Sequence, residues 1–262
     1  MRSGKPAAAF AVLLVVSFAT MNAMPSDTLL AAMLQEAVLA LVALVAVRFA
    51  VPDVLKRCTQ AVQQRNTVRF AAIALLLVGL IGGAITLLAW LFSGGGTMAC
   101  FASTALPSTV DLMENLLLLL GICLLTGLYE EAFMRVLGIE AFERALDTKR
   151  AILASAALFA LLHVGAPDVS AGQLVLLQTA LKFGQALLFG VILGALYART
   201  RRLWPCAFIH AGFDILYMAP NVLLTGTMPE TYASGAVGDT VLLAVSVLML
   251  SGIVLKIRKE IA

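Results

Sequence analysis

The stretch FAAIALLLVGLIGGAITLLAWLF, residues 70–92, runs for 23 residues without a charge. A hydrocarbon core about 30 Å thick needs roughly 20 consecutive apolar residues in a helix, so this stretch is long enough to cross a bilayer. Lipid offers the backbone no hydrogen-bond partner, which leaves helices or a closed barrel as spanning structures. The apolar residues are continuous and do not alternate as barrel strands do, so the reading is helical. Seven more such runs lie on either side, at approximately 7–24, 29–47, 110–129, 151–165, 173–198, 204–225 and 240–255. The whole chain of 262 residues is 61% hydrophobic and only 13% charged. Water-soluble domains run near 45–50% apolar and about 25% charged, so no soluble fold hides this much apolar surface. The expected fold is all-α, a polytopic transmembrane helix bundle of about eight spans.

The bases report topology. If the runs alternate across the membrane, one set of connections holds 16 of the 18 Lys and Arg, from Arg2 and Lys5 to Lys256, Arg258 and Lys259. The opposite set holds Asp27, Asp168, Glu230 and Asp239 and no base. The positive-inside rule then places both termini in the cytoplasm of a multi-pass protein of the cell (cytoplasmic or inner) membrane. A net charge of +3 is not clustered with aromatics on a soluble domain, so no nucleic-acid partner is expected. Cys58, Cys100, Cys123 and Cys206 show neither CxxC spacing nor a disulfide framework. Arg2 and Lys5 before an apolar run also describe a signal peptide, but the run is long and the small-residue pattern near Ala23 is poor, so a retained helix is expected. Residues 1–262 read as one integral membrane domain: N-terminal helices over 1–109, a core over 110–225, an outer loop and last helix over 226–262. Ser93 to Ser108, with Gly94, Gly95 and Gly96, reads as a flexible outer loop.

Charges inside the apolar runs carry the functional signal. An ionisable group in lipid costs about 2.5–3.5 kcal/mol or more, so such residues face polar cavities and act there. They are Glu36, Asp111, Glu114, Glu130, Glu131, Arg135, His163, Lys182, His210 and Asp214, and they include both histidines of the chain. In Tyr129-Glu130-Glu131-Ala132-Phe133-Met134-Arg135, the pair Glu131 and Arg135 stands at i and i+4 with the acid first, the favourable order. Glu130 is turned about 100° away and is left to face a cavity as a base, unless all three form an interfacial ion-pair cluster. Phe159 and His163 share a helix face, as do His210 and Asp214. A lone helical histidine is usually a packing residue. Two of them with two unpaired acids supply a base for water and a donor for an oxyanion, the needs of amide hydrolysis. Glu36 and Gln35 read as satisfying a helix contact, and Asp111 and Glu114 as lying near the outer interface. Glu140 to Arg150 reads as a solvated or interfacial connection. Lys182 either is buried opposite an acid such as Asp214 or Glu114, or marks the outer start of the sixth span with residues 168–181 along the surface; the second is preferred.

Glu130-Glu131-xxx-Arg135, Phe159-xxx-His163 and His210-xxx-Asp214, in this order on successive helices, resemble the CAAX prenyl protease and bacteriocin-processing family, also called the Abi or CPBP intramembrane glutamic proteases. The resemblance covers roughly residues 110–225, and Phe183, Gly184, Gly190 and Gly194 look like the family's glycine-rich span. It implies a CAAX-type (type II) intramembrane endopeptidase acting on membrane-associated or lipidated proteins or peptides. Glu130 with His163 would activate a water, and His210 with Asp214 would stabilise the oxyanion. Glu131, Arg135 and Phe159 would support the site. Asp214 stands where many members carry asparagine, and an ionised aspartate cannot donate to an oxyanion. Either it is protonated, or it orients His210 and leaves that histidine as the only donor; the second is preferred.

The resemblance favours a site without a cofactor, although glutamate, two histidines and Asp214 would also suit zinc. HExxH spacing is absent. A non-hydrolytic immunity or binding protein, or a small proton-coupled transporter, would use the same cavity. The expected partners are the bilayer and a peptide or membrane-protein substrate. One geometric difficulty accompanies these bounds: Glu130 falls near the cytoplasmic end of the fourth span, whereas His163 falls deep in the fifth. They meet only if the fifth helix, broken at Gly165-Ala166-Pro167, is short, tilted or displaced inward.

Overall fold

The computed structural model describes residues 4–24, 26–56, 65–92, 107–164, 170, 172–229 and 232–261, and these contain helices and no strand. The order is α1 (Lys5–Ala23), α2 (Leu29–Ala50), α3 (Pro52–Lys56), α4 (Arg65–Phe92), α5 (Thr109–Glu130), a π-helical segment (Glu131–Ile139), α6 (Glu140–Phe142), α7 (Thr148–Val164), α8 (Gln173–Thr200), α9 (Leu203–Thr225) and α10 (Val237–Ile261). Seven of the helical stretches are long and apolar enough to cross a membrane, as expected of a multi-pass membrane protein. The expected loop over residues 93–106, the break at residues 165–167, Cys58, Cys100, Asp168 and Glu230 lie outside the described residues.

The ends of the helices follow local chemistry. Thr28 caps α2 by accepting from the Ala31 N–H at 3.2 Å. Ser108 and Asp111 form a capping box at the start of α5, so Asp111 serves the helix end and remains exposed. α8 ends at Arg201, whose left-handed backbone has φ 49°. There the Arg201 guanidinium pairs with Glu143 at 2.7 Å and Glu140 at 2.8 Å, while the Tyr197 hydroxyl donates to Glu140 at 3.2 Å. Glu143 is 8% exposed. The connection between α6 and α7 is therefore not simply solvated: a forked guanidinium ties it to the turn between α8 and α9.

The fourth span is longer than its apolar run. α5, the π segment and α6 make one continuous helix, Thr109–Phe142, so Glu130 lies twelve residues before its end. α7 has 17 residues, about 25 Å at 1.5 Å per residue, and carries His163 fifteen residues from its start. Both positions lie roughly 20 Å from the shared connection, so the two side chains come to the same depth. The apparent conflict between them came from ending the fourth span at the first charges.

Backbone contact through glycine holds the two histidine-bearing helices. α4 packs on α9 through Gly79 and Gly83, a small-xxx-small pair. A Cβ on Gly79 would lie 2.8 Å from the Phe213 carbonyl oxygen, and one on Gly83 would overlap that of Leu216. α8 packs on α7 through Gly190 and Gly194, where added Cβ atoms would lie 2.9 Å from Ala156 and Ile152. Gly79→Val is expected to lower the thermal unfolding midpoint in detergent, corresponding to an overpacking cost of about 1–3 kcal/mol. Gly252→Ala, with nothing within 4 Å of the new Cβ, should leave it unchanged; equal midpoints for both variants would contradict the close approach.

Candidate functional site

The π segment begins immediately after Glu130, and all nine of its residues are buried. π turns are rare and occur frequently at functional sites, where the wider turn re-aims side chains. Here two consecutive acids face different partners. Glu131 is fully buried, and its Oε2 lies 3.1 Å from Arg135 Nε. Its Oε1 accepts from His210 Nδ1 at 2.8 Å. The Arg135 guanidinium also lies over the Phe159 ring, 4.3 Å from its centroid. The expected pair of Glu131 and Arg135 is present, and Glu131 has a second task that spacing along one helix could not reveal.

Glu130 faces the other way, toward both histidines. Its Oε1 is 4.0 Å from His163 Nε2, and its Oε2 is 3.5 Å from His210 Nε2. Asp214 Oδ2 lies 3.3 Å from the same His210 Nε2. His163 Nδ1 donates to the Phe159 carbonyl at 2.9 Å, and the Phe159 and His163 rings are in tilted contact with centroids 4.2 Å apart. A neutral His163 that donates through Nδ1 presents the Nε2 lone pair to Glu130. Nε2 and a carboxylate oxygen are then both acceptors across a 4.0 Å gap, which a water donating to each would bridge. His210 is held by Glu131 through Nδ1 and packed by Phe189, edge to face at 4.8 Å, so its Nε2 is the atom presented to the cavity.

Two hollows meet at this group. Glu130, His163, His210 and Asp214 line a cavity of about 310 Å³, at the lower end of the roughly 300–1,000 Å³ typical of ligand sites. Glu130 and His163 also line a groove of about 490 Å³ whose other walls are mostly apolar, among them Phe18 and Met21 of α1, Phe133, and Leu161 and Leu162 of α7, with Ser17 and Asn22 as polar members. Among the described residues no three His, Cys, Asp or Glu side chains are grouped to hold a metal ion.

Two residues stand differently from their sequence reading. Gln35 does satisfy a backbone contact, donating to the Met24 carbonyl at 3.1 Å, but Glu36 lines the cavity together with Thr126, with its Oε2 buried and without a hydrogen-bond partner among the described residues. Lys182 does not mark the start of a span. α8 begins nine residues earlier, and buried Gln178 ties its first turns to the segment before α10 by donating to the Ala236 carbonyl at 2.7 Å and accepting from the Gly235 N–H at 2.8 Å. Lys182 therefore lines the cavity along with Asp214. The signal for both was present as charge in an apolar run; which neighbour each faces depends on tertiary packing. Phe189 carried no such signal.

Because Glu131 is the shared partner of two buried groups, Glu131→Ala should destabilise the protein by about 3–5 kcal/mol, the cost of leaving a buried ion unpaired. Thermal unfolding in detergent checks this, with Glu130→Gln expected to unfold near the wild-type temperature. A mild effect of Glu131→Ala would contradict the hub.

A comparison with curated proteins finds no match. Residues 112–216, a range that contains Glu130, Glu131, Arg135, Phe159, His163, His210 and Asp214 and leaves out Glu36, match the family model described as type II CAAX prenyl endopeptidase Rce1-like, which supports a membrane endopeptidase.

Proposed function

We propose that the protein hydrolyses a peptide bond of a membrane-associated or lipidated polypeptide through a water activated by Glu130 and His163, without a cofactor. The observation that carries the reading is the Glu130 carboxylate between two imidazoles, at 4.0 and 3.5 Å, on the wall shared by a polar cavity and an apolar groove. A water bridging Glu130 and His163 donates one O–H to each. Glu130 takes its proton as the water oxygen attacks the scissile carbonyl carbon. His210, an imidazolium that donates through Nδ1 to Glu131 and through Nε2 to Asp214 in the resting site, turns its Nε2–H to the carbonyl oxygen as negative charge develops there. The C–N bond then breaks, and Glu130 returns the proton to the leaving nitrogen. The products are a carboxylic acid and an amine, and the balance needs only water. The apolar groove suits an alkyl or isoprenoid chain, and the cavity suits the polar backbone. By the positive-inside argument, the basic connections face the cytoplasm of a cell (inner) membrane.

The test is cleavage of an S-prenylated peptide ending Cys-aliphatic-aliphatic-X by the full chain in liposomes. Glu130→Gln should lower kcat by about 10²–10⁴-fold with unfolding unchanged, as expected for loss of a general base. His210→Ala should lower it by about 10²–10³-fold. Excess chelator should leave the wild-type rate intact. Full activity of Glu130→Gln would overturn the mechanism, loss of activity with chelator and its return with zinc would replace it with a metal mechanism, and absence of any cleaved peptide would favour a binding or transport role.

A further inference from the structure

Lys182, like Glu36, is a charged member of the cavity wall that the hydrolytic steps do not use. An ammonium has three N–H donors. One goes to Gln185 Oε1 at 3.2 Å, and Gln185 is itself fixed by donating from Nε2 to the Tyr217 hydroxyl at 2.8 Å. Among the described residues no carboxylate lies within ion-pair distance of Lys182. The nearby acids have closer partners: Glu130 and Asp214 lie at 3.5 and 3.3 Å from His210, and Glu131 holds Arg135 and His210. A half-buried cation inside a membrane-spanning helix, with two unused donors and no contacting counter-ion, is costly, and charged residues so placed in membrane proteins mark ligand or ion sites.

The surroundings of the amine are built rather than incidental. Its other neighbour is the Tyr232 ring, 5.6 Å from Nζ to centroid. Tyr232 has φ 58°, a left-handed conformation that a bulky residue keeps only where the surrounding structure imposes it, and such outliers gather at ligand sites. The Tyr217 ring packs edge-on against Tyr232 at 5.3 Å, so the residue that fixes Gln185 also supports the aromatic wall. Lys182, Tyr217 and Tyr232 line the same cavity as Glu130 and His163.

We propose that Lys182 binds the free α-carboxylate at the C-terminus of the polypeptide substrate, so that the scissile bond is chosen by its distance from the chain end. The proposal rests on the hydrolytic reading, because it assigns the leaving fragment to the polar cavity and the lipidated residue to the apolar groove. A single carboxylate suits the place better than a doubly charged phosphate, since Glu130, Asp214 and Glu36 share the cavity and repel anions. Two N–H groups remain to meet it as charge-assisted hydrogen bonds.

The experiment compares two S-prenylated peptides of one sequence, one ending in a free carboxylate and one in an amide, with the full chain in liposomes. Wild type should cleave the acid with kcat/KM about tenfold or more above the amide, the scale of a charge-assisted bond. Lys182→Met should bring the ratio to about one by losing rate on the acid, and Lys182→Arg, which keeps the charge, should retain a preference. A ratio near one in wild type, or equal loss on both peptides in Lys182→Met, would overturn the proposal and show that Lys182 only balances the charge of the site. Binding of the two peptides to Glu130→Gln separates this proposal from the hydrolytic one. Tighter binding of the acid with no cleavage by wild type would uphold the carboxylate site and reject hydrolysis, whereas cleavage without preference would do the reverse.

Discussion

Glu131 has no exposed surface, and each of its carboxylate oxygens holds a different buried group, Arg135 at 3.1 Å and His210 at 2.8 Å. In an apolar bundle neither partner has water to fall back on, so the three side chains are stable only together. The geometry of the rest follows from that constraint. Arg135 reaches Phe159, whose ring packs at a tilt against His163; His210 reaches Glu130 and Asp214. A single internal carboxylate thus couples α5, the π segment, α7 and α9, and sets the orientation of both imidazoles around Glu130.

Hydrolysis requires water where the fold otherwise excludes it. The cavity, at about 310 Å³, has room for about ten waters at roughly 30 Å³ each. The helices that frame it approach closely at glycines as well as packing large apolar side chains such as Phe159, Phe189 and Phe213. α9, carrying His210, lies against the glycines of α4, and α7, carrying His163, lies against the glycines of α8. Both histidines therefore sit on helices with little freedom to shift, which suits a site whose donors must be in place before charge develops.

Much of this was readable from residues 70–92 and their like, because hydrocarbon thickness and backbone hydrogen bonding leave few alternatives for such runs. Glu130, His163, His210 and Asp214 were readable too, since charge in an apolar helix has few bland explanations. The end of the fourth span was not. Glu130, Glu131, Arg135 and Glu140 look like an interface when counted along the chain, and only the partners Arg201 and His210, some 60 to 80 residues away, show that Glu131 and Arg135 are buried and that Glu130 and Glu140 are half-buried against other helices. The π segment was hidden for a related reason: Glu131 and Arg135 at i and i+4 fit an ordinary α-helical face, so nothing in the spacing marks the wider turn. Lys182 and Glu36 announced themselves as charges, but only the packing of α8 and α2 around one cavity shows what they face.

The central claim is that a water held between Glu130 and His163 attacks the peptide carbonyl directly. A single turnover in ¹⁸O-labelled water, followed by mass spectrometry of product and enzyme, tests it most directly. The account predicts one ¹⁸O in the newly formed carboxylate of the product and none in the Glu130 side chain. Label in Glu130, the mark of a covalent acyl intermediate on that carboxylate, would contradict it.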